Sequence, residues 1–270
     1  MTRSPFLIDG PAGVSFSGGR TSALMLRMIL DAHGGKLPAD VHVTFANTGK
    51  EHPKTLDFVK EVSERWNVCV RWLEYVPNDY RKPKTFREVT YETASRNGEP
   101  FAALIGKRNY LPNVMARFCT QEMKILPMEN FMRAQGYEEW GNVVGLRADE
   151  PHRVHRIKDR ESERTTIYCP LYDAGITVQD VDAYWKASTF DLGVPRLLGN
   201  CDLCFLKGKE KLRRIINADP LAAEWWIGQE NRIGNQFHQR YTVRQLLESL
   251  DESPILDDGQ VQSVDCACTD

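Results

Sequence analysis

The chain has 270 residues, 41% of them hydrophobic, and 35 basic side chains stand against 37 acidic ones for a formal net charge of −2. This length and apolar content support a sizeable core in one large domain, or in a domain with a smaller C-terminal extension. The balanced charge excludes binding driven by a globally basic surface but leaves room for a local basic groove. No apolar run is long enough to span a bilayer and no N-terminal stretch has signal-peptide character, so the expectation is a cytoplasmic protein without a membrane segment. Seven cysteines is an odd count without the spacing of a secreted framework. In a reducing compartment, clustered thiols point to metal or redox chemistry rather than disulfides.

Residues 1–13 read as a lead-in. An apolar run through Val14-Ser15-Phe16 then meets Ser17-Gly18-Gly19-Arg20-Thr21-Ser22, and a helix-forming run comes next over 23–30. This is strand, glycine turn and helix N-terminus. Adjacent glycines let the backbone approach an anion, and the free N–H groups and helix dipole favour phosphate. The same residues also suit an ordinary turn with a Ser/Thr cap. Gly34-Gly35 end the helix. Residues 41–46 form a second strand, closing in Asn47-Thr48-Gly49-Lys50-Glu51-His52-Pro53, with Pro53 placed for the first turn of a helix over 55–66. A third strand covers 68–73. Strand–helix–strand–helix–strand at this spacing predicts a parallel sheet with helices on its faces, and ligands bind beyond the carboxyl ends of such strands.

Residues 77–112 are polar and basic, with interleaved aromatics and a short helix predicted over 86–95. They read either as a solvated insertion packed by its own aromatics or as a mobile flap over a polyanionic or base-bearing substrate. Arg117-Phe118-Cys119-Thr120 leads through Lys124 and Pro127 into a helix to about residue 135. A fourth strand over 140–146 ends in Gly145-Leu146-Arg147-Ala148-Asp149-Glu150, and the polar run that continues to residue 166 is expected to be exposed. Thr177 caps a further helix. Cys201-Asp202-Leu203-Cys204 precedes helices over 207–216 and 220–232, and an acidic tail over 251–270 carries Cys266 and Cys268.

Four separated pieces share one pattern: Ser17 to Ser22, the 45–53 turn, Arg117 to Thr120 with Lys124 and Pro127, and Gly145-Leu146-Arg147 with Glu150 and Arg153. Together they resemble the phosphoadenosine phosphosulfate (PAPS) reductase family of the adenine-nucleotide alpha-hydrolase superfamily, the PP-loop ATP-pyrophosphatases. The resemblance implies an α/β fold with a doubly wound, mostly parallel, Rossmann-like sheet of five strands and a helical C-terminal extension. It divides the chain into a nucleotide-binding domain over 1–200 with 77–112 inserted, an extension over 201–250, and a tail over 251–270. It implies that ATP or a PAPS-like nucleotide, with magnesium as a candidate companion ion, meets Ser15, Ser17, Gly18, Gly19, Arg20, Thr21, Ser22 and Gly145. Asn47, Thr48 and Gly49 would lie near ribose or adenine, and Lys124, Arg147 and Arg153 would neutralise phosphates or a leaving pyrophosphate. Surface pairing with Asp149 and Glu150 is the alternative for the two arginines.

Cys201-x-x-Cys204 is a clamp of the kind used for zinc or iron–sulfur clusters. Cys119 falls in the motif that carries cluster ligands in the cluster-binding sulfonucleotide reductases, although Thr120 stands where those enzymes have a second cysteine. The resemblance therefore implies a 4Fe-4S cluster on Cys119, Cys201 and Cys204, with Cys268, Cys266, Cys169 or no residue as the fourth ligand, and a structural zinc as the alternative. Cys69 between valines reads as a small buried hydrophobe. The implied activity is adenylation of a substrate for sulfur transfer to DNA or tRNA, with a cysteine desulfurase as a sulfur-donor protein. The second reading is sulfonucleotide reduction, with thioredoxin as partner and Cys266 or Cys268 as tail nucleophile. The third is a non-catalytic nucleotide-binding accessory module. A homo-oligomer is compatible with all three.

Overall fold

The structure is a computed structural model, described here over residues 3–77, 85–195, 198–199 and 201–250. Its centre is a six-stranded sheet in the order β4-β3-β2-β1-β5-β6. The strands are β1 (Ala12–Ser15), β2 (Val41–Asn47), β3 (Val70–Tyr75), β4 (Phe86–Val89), β5 (Trp140–Val144) and β6 (Thr165–Tyr168). All neighbours are parallel except β4, which pairs antiparallel with β3. The innermost strands β1 and β2 are almost continuously buried, as a sheet covered on both faces requires. Strand order reverses direction beside β1, so the crevice between the carboxyl ends of β1, β2 and β5 is the switch point where a doubly wound sheet opens a site.

The sequence reading anticipated this α/β architecture but not its edge. Residues 86–89 were expected to open a short helix and instead form β4. Phe86 is buried against Phe131 with ring centroids 6.2 Å apart, while Arg87 and Glu88 are exposed. Charged side chains of this kind suit a sheet edge. Cys69, expected to be buried, is exposed because β3 starts one residue later, at Val70.

Helices α1 (Arg20–Ala32) and α2 (Pro53–Arg65) come after β1 and β2. They pack with α8 (Val178–Ala187) over one face of the sheet in the main apolar core. Helix α8 starts where expected: Thr177 N and Oγ1 both donate to Asp180, at 2.8 and 2.7 Å. A second core joins α3 (Glu99–Arg108) to the helices after residue 200: α9 (Lys209–Ala218), α10 (Ala222–Ile233) and α11 (Val243–Glu248). Phe101 of α3 meets Trp225 and Trp226 at 5.4 and 5.7 Å between ring centroids. Residues 99–108 are thus part of a core. The remaining helical pieces are α4 (Phe118–Thr120), a π-helical turn (Gln121–Ile125), α5 (Leu126–Ala134), α6 (Pro151–Lys158) and α7 (Pro170–Asp173). Among the described residues no helix is long and apolar enough to cross a membrane.

Candidate nucleotide and thiol site

The glycine loop is held from within. Ser17 N donates to Ser22 Oγ at 3.2 Å, the two hydroxyls lie 2.9 Å apart, and Ser22 Oγ donates back to Gly19 O at 3.1 Å. Gly18 adopts φ +78°, and a Cβ there would stand 2.7 Å from Thr55 Cγ2, so the loop can pack this closely only without a side chain. Gly19 is the N-cap of α1 and contributes no side chain, which leaves the first-turn N–H groups to the cavity side. At the end of β5, a Cβ on Gly145 would lie 3.2 Å from Ser22 Cα; that close approach brings the second strand end against the loop.

Two cavities flank the loop and share Ser17. The larger, about 490 Å³, opens over the carboxyl ends of β1, β2 and β5 and is lined by Ser15, Ser17, Ser22, Ala46 and Gly145. Its walls carry five cations, Arg117, Lys124, Arg153, Arg156 and Arg160, and no carboxylate. Phe118, Ile125, Met128 and Ile157 supply an apolar side. The volume falls within the usual range of about 300–1,000 Å³ for small-molecule sites. A negatively charged ligand with one flat apolar part suits such a lining.

Lys124 is delivered by the π-helical turn, which inserts one residue into the α4–α5 run and rotates α5 relative to α4; such bulges recur at functional sites. The smaller cavity, about 60 Å³, is lined by Gly18, Gly19, Arg20, Thr21 and Arg147. There the buried Arg147 donates to Thr21 Oγ1 at 3.2 Å and pairs with Asp149 at 3.1 Å and Glu150 at 3.5 Å. This buried arginine is therefore ion-paired and also touches the loop. Arg153 pairs with Glu150 and still lines the large cavity.

Some expected residues point elsewhere. Arg20 turns away from the large cavity to Asp191, with Nε to Oδ1 at 2.6 Å, and to Val194 O at 3.1 Å, so it fastens the loop instead of facing a ligand there. Asn47 is fully buried and spends its side chain inside: Nδ2 donates to Glu74 Oε1 at 2.7 Å and Ser95 O at 2.9 Å, and Oδ1 accepts from Gly49 N at 3.1 Å. Thr48 donates from N and Oγ1 to Glu51 at 2.9 and 2.7 Å. The 47–49 turn lines neither cavity. His52 accepts from Lys54 N as the α2 cap, and His42 lies 3.2 Å from the Tyr137 hydroxyl, so both are structural.

The cysteines lie behind that turn. Glu51 bridges to Cys201, Asp202 N donates to Lys50 O at 2.9 Å, and Thr48 Oγ1 is 3.5 Å from Cys201 Sγ. Burial, with Glu51 nearby, pushes the Cys201 thiol up to about 12, against the opposing pull of Lys124 and the Thr48 hydroxyl; Cys119 is near enough to add to the upward shift. Cys204 is buried one turn on, its N–H donating to Cys201 O at 3.3 Å. Cys169 is fully buried among Leu146, Val154 and Ile167, which makes it core, and burial raises its thiol to about 11. Cys266 and Cys268 lie outside the described residues. As folded, the described residues bring together no group of three donors that could hold a metal, so Cys119, Cys201 and Cys204 do not make a ready cluster site.

Sequence reasoning assigned no role to Arg117, Phe118, Arg156 or Arg160, although all line the cavity. The signal was present: Arg153, Arg156 and Arg160 recur at three and four residues, one face of a helix inside a run that reads as merely polar.

The chain is 34% identical over 214 residues to the uncharacterized nin region protein ORF290 of Escherichia phage lambda, covering 74% of this chain and 67% of that protein. The structure overlaps the phosphate complex of PAPS reductase from Candida auris at 17% identity and a TM-score of 0.40, over 66% of this chain and 72% of that one. It overlaps the U34-tRNA thiolase NcsA from Methanococcus maripaludis, with its [4Fe-4S] cluster, at 12% identity and a TM-score of 0.36, over 96% and 80%. Both superpositions are too loose to carry an argument about chemistry. The phosphoadenosine phosphosulfate reductase domain, by contrast, matches residues 11–192 and so takes in the glycine loop, the 47–53 turn, Lys124 and the whole basic wall. By that match the chain belongs to the phosphoadenosine phosphosulfate reductase domain family.

Proposed function

We propose that this chain is an enzyme that binds ATP in the large cavity and adenylates a nucleic-acid substrate so that sulfur can displace AMP. The observation that carries this reading is the lining itself: the two loop serines Ser17 and Ser22 and five cations without a carboxylate, set against an apolar wall. In the adenylation step a substrate oxygen attacks the α-phosphorus of ATP, and the bond to the bridging oxygen breaks with its electron pair leaving on pyrophosphate. Lys124, Arg117 and Arg153, which line that cavity, would hold the growing charge, and the Ser17 and Ser22 hydroxyls would fix the phosphates. In the transfer step a sulfur nucleophile bonds to the activated atom and AMP departs. Magnesium, if used, would ride on the nucleotide, since the large cavity offers it no carboxylate.

A thiolate donor set suits an iron–sulfur cluster chemically, but the described residues do not assemble one as folded. Iron content and visible absorbance after anaerobic purification test the cofactor: broad absorbance with four irons per chain supports a 4Fe-4S cluster, and stoichiometric zinc removes it. The reaction is tested with labelled ATP. Release of pyrophosphate and AMP that depends on added nucleic acid is expected. ATP that neither binds nor is turned over would sink the reading. Family membership favours one second reading, sulfonucleotide reduction, which predicts instead sulfite release from PAPS with thioredoxin and its loss in a Cys266→Ser/Cys268→Ser double variant.

A further inference from the structure

A nucleotide accounts for the loop end of the large cavity but not for its mouth. Arg156 and Arg160, on α6 and the turn after it, line the cavity yet are exposed, continuing the positive wall outward beyond Arg153. Beside the Phe118 wall of the same cavity the chain between α3 and α4 makes a tight turn. Asn113 N donates to Ala116 O and Ala116 N to Asn113 O, both at 3.2 Å, while Asn113 Oδ1 accepts from the N–H groups of Met115 and Ala116 at 3.0 Å. This closed turn presents apolar side chains to water: Met115 is 82% exposed, Val114 49% and Tyr110 42%. Half of the six exposed large hydrophobics among the described residues thus fall within residues 110–115. The turn is tied to the cavity wall, since the Tyr110 ring lies 6.5 Å from that of Phe118, with Arg108 over Phe118 at 5.7 Å.

An exposed apolar turn against one wall of a cavity whose rim carries a cationic row fits a ligand in which phosphates and flat apolar groups alternate. A free nucleotide has one base, and that is already served by the apolar side of the cavity. A nucleic-acid strand has both groups at every step, and single strands are held by basic grooves together with side chains that bases stack against. We propose that this mouth docks a single-stranded nucleic-acid segment, with its backbone along Arg156 and Arg160 and a base against the Tyr110–Met115 turn. The inference rests on the reading of nucleic acid as substrate and names the surface that receives it.

The test uses the full-length protein, a fluorescein-labelled oligothymidylate or oligouridylate of about ten nucleotides, and anisotropy across a salt series. Wild type is expected to bind. Val114→Ser/Met115→Ser, which changes only exposed side chains, is expected to weaken binding roughly tenfold, as loss of apolar contact with a base does, while calorimetric ATP affinity stays at the wild-type value. Arg156→Ala/Arg160→Ala is expected to lower the slope of log K against log salt by about 1.4, about 0.7 for each lost single-strand phosphate contact. Absence of oligonucleotide binding in wild type, or binding unchanged in both variants, would overturn the proposal. So would a polyglutamate peptide binding as tightly as the oligonucleotide with no effect of the turn variant, which would assign the face to an acidic protein. Oligonucleotide binding without ATP binding would refute the adenylation reading and leave this surface standing; ATP binding without oligonucleotide binding would do the reverse.

Discussion

Lys124 is where charge and backbone irregularity coincide, on a π-helical turn beside the loop serines. If it meets a leaving pyrophosphate, Lys124→Ala should lower turnover about 100-fold or more, the scale of removing one preorganised donor from a transition state, with unfolding by urea little changed. Gly18→Ala acts on the fold instead. It forces a side chain into φ +78° and against Thr55, and should lower stability by about 1–3 kcal/mol in denaturant melts. His238 sets a pH limit. It is 5% exposed, stacks on Tyr241 with centroids 4.7 Å apart, and its Nε2 has no hydrogen-bond partner. Burial pushes its pKa down to about 4, so between about pH 6.5 and 4 the unfolded chain takes up a proton that the folded chain refuses. Stability is therefore full above pH 6.5 and falls as pH drops toward 4, by up to about 3 kcal/mol. Urea midpoints measured across that range should show the loss, and His238→Phe should flatten it.

At the scale of elements, the extension after residue 200 grips the sheet through a few polar contacts. Asp202 binds Lys50 Nζ at 2.8 Å and accepts from Trp226 Nε1 at 2.7 Å, while Lys50 lies over the Trp225 ring at 5.1 Å. Gly98 completes the joint: its N–H donates to Gly49 O at 2.8 Å, and a Cβ on it would stand 2.6 Å from Trp225. Asp202→Ala leaves a largely buried ammonium and an indole N–H without their carboxylate and should cost about 2–4 kcal/mol, read from denaturant midpoints. The elements that could be read in advance were those with local codes. These are the buried runs of β1 and β2, the Pro53 start of α2, the Thr177 cap of α8 and the glycine stop of α1. Strand β4 was not among them, because a four-residue run with two consecutive charges is too short to separate a strand from a helix before a neighbour is known. Nor was the π-helical turn, which has no sequence signature of its own and is set by how α5 must meet the sheet.

Among the described residues the two largest of four apolar cores are one built on the sheet and one shared by α3 and the final helices. This explains which parts of the candidate site were legible. Ser17, Ser22, Gly145, Lys124 and Arg153 follow from chemistry carried in short motifs at strand ends. The true duties of Asn47 and Thr48 depend on Glu74, Ser95 and Glu51 arriving from elsewhere, and polar side chains look alike in sequence whether they face a ligand or a neighbour. Arg156 and Arg160 were hidden for the opposite reason, since a charged run reads as solvated until the sheet shows what its helix looks into.

The two margins of the sheet bear on how the molecule can be engaged. Strands β4 and β6 span only four residues each, and β4 runs against the direction of the rest. Short borders of this kind give an incoming chain little to zip onto. Growth of the sheet by lateral recruitment, the usual start of edgewise aggregation, is therefore poorly supported at either margin. A second copy or a partner is left to approach through helices and connecting turns.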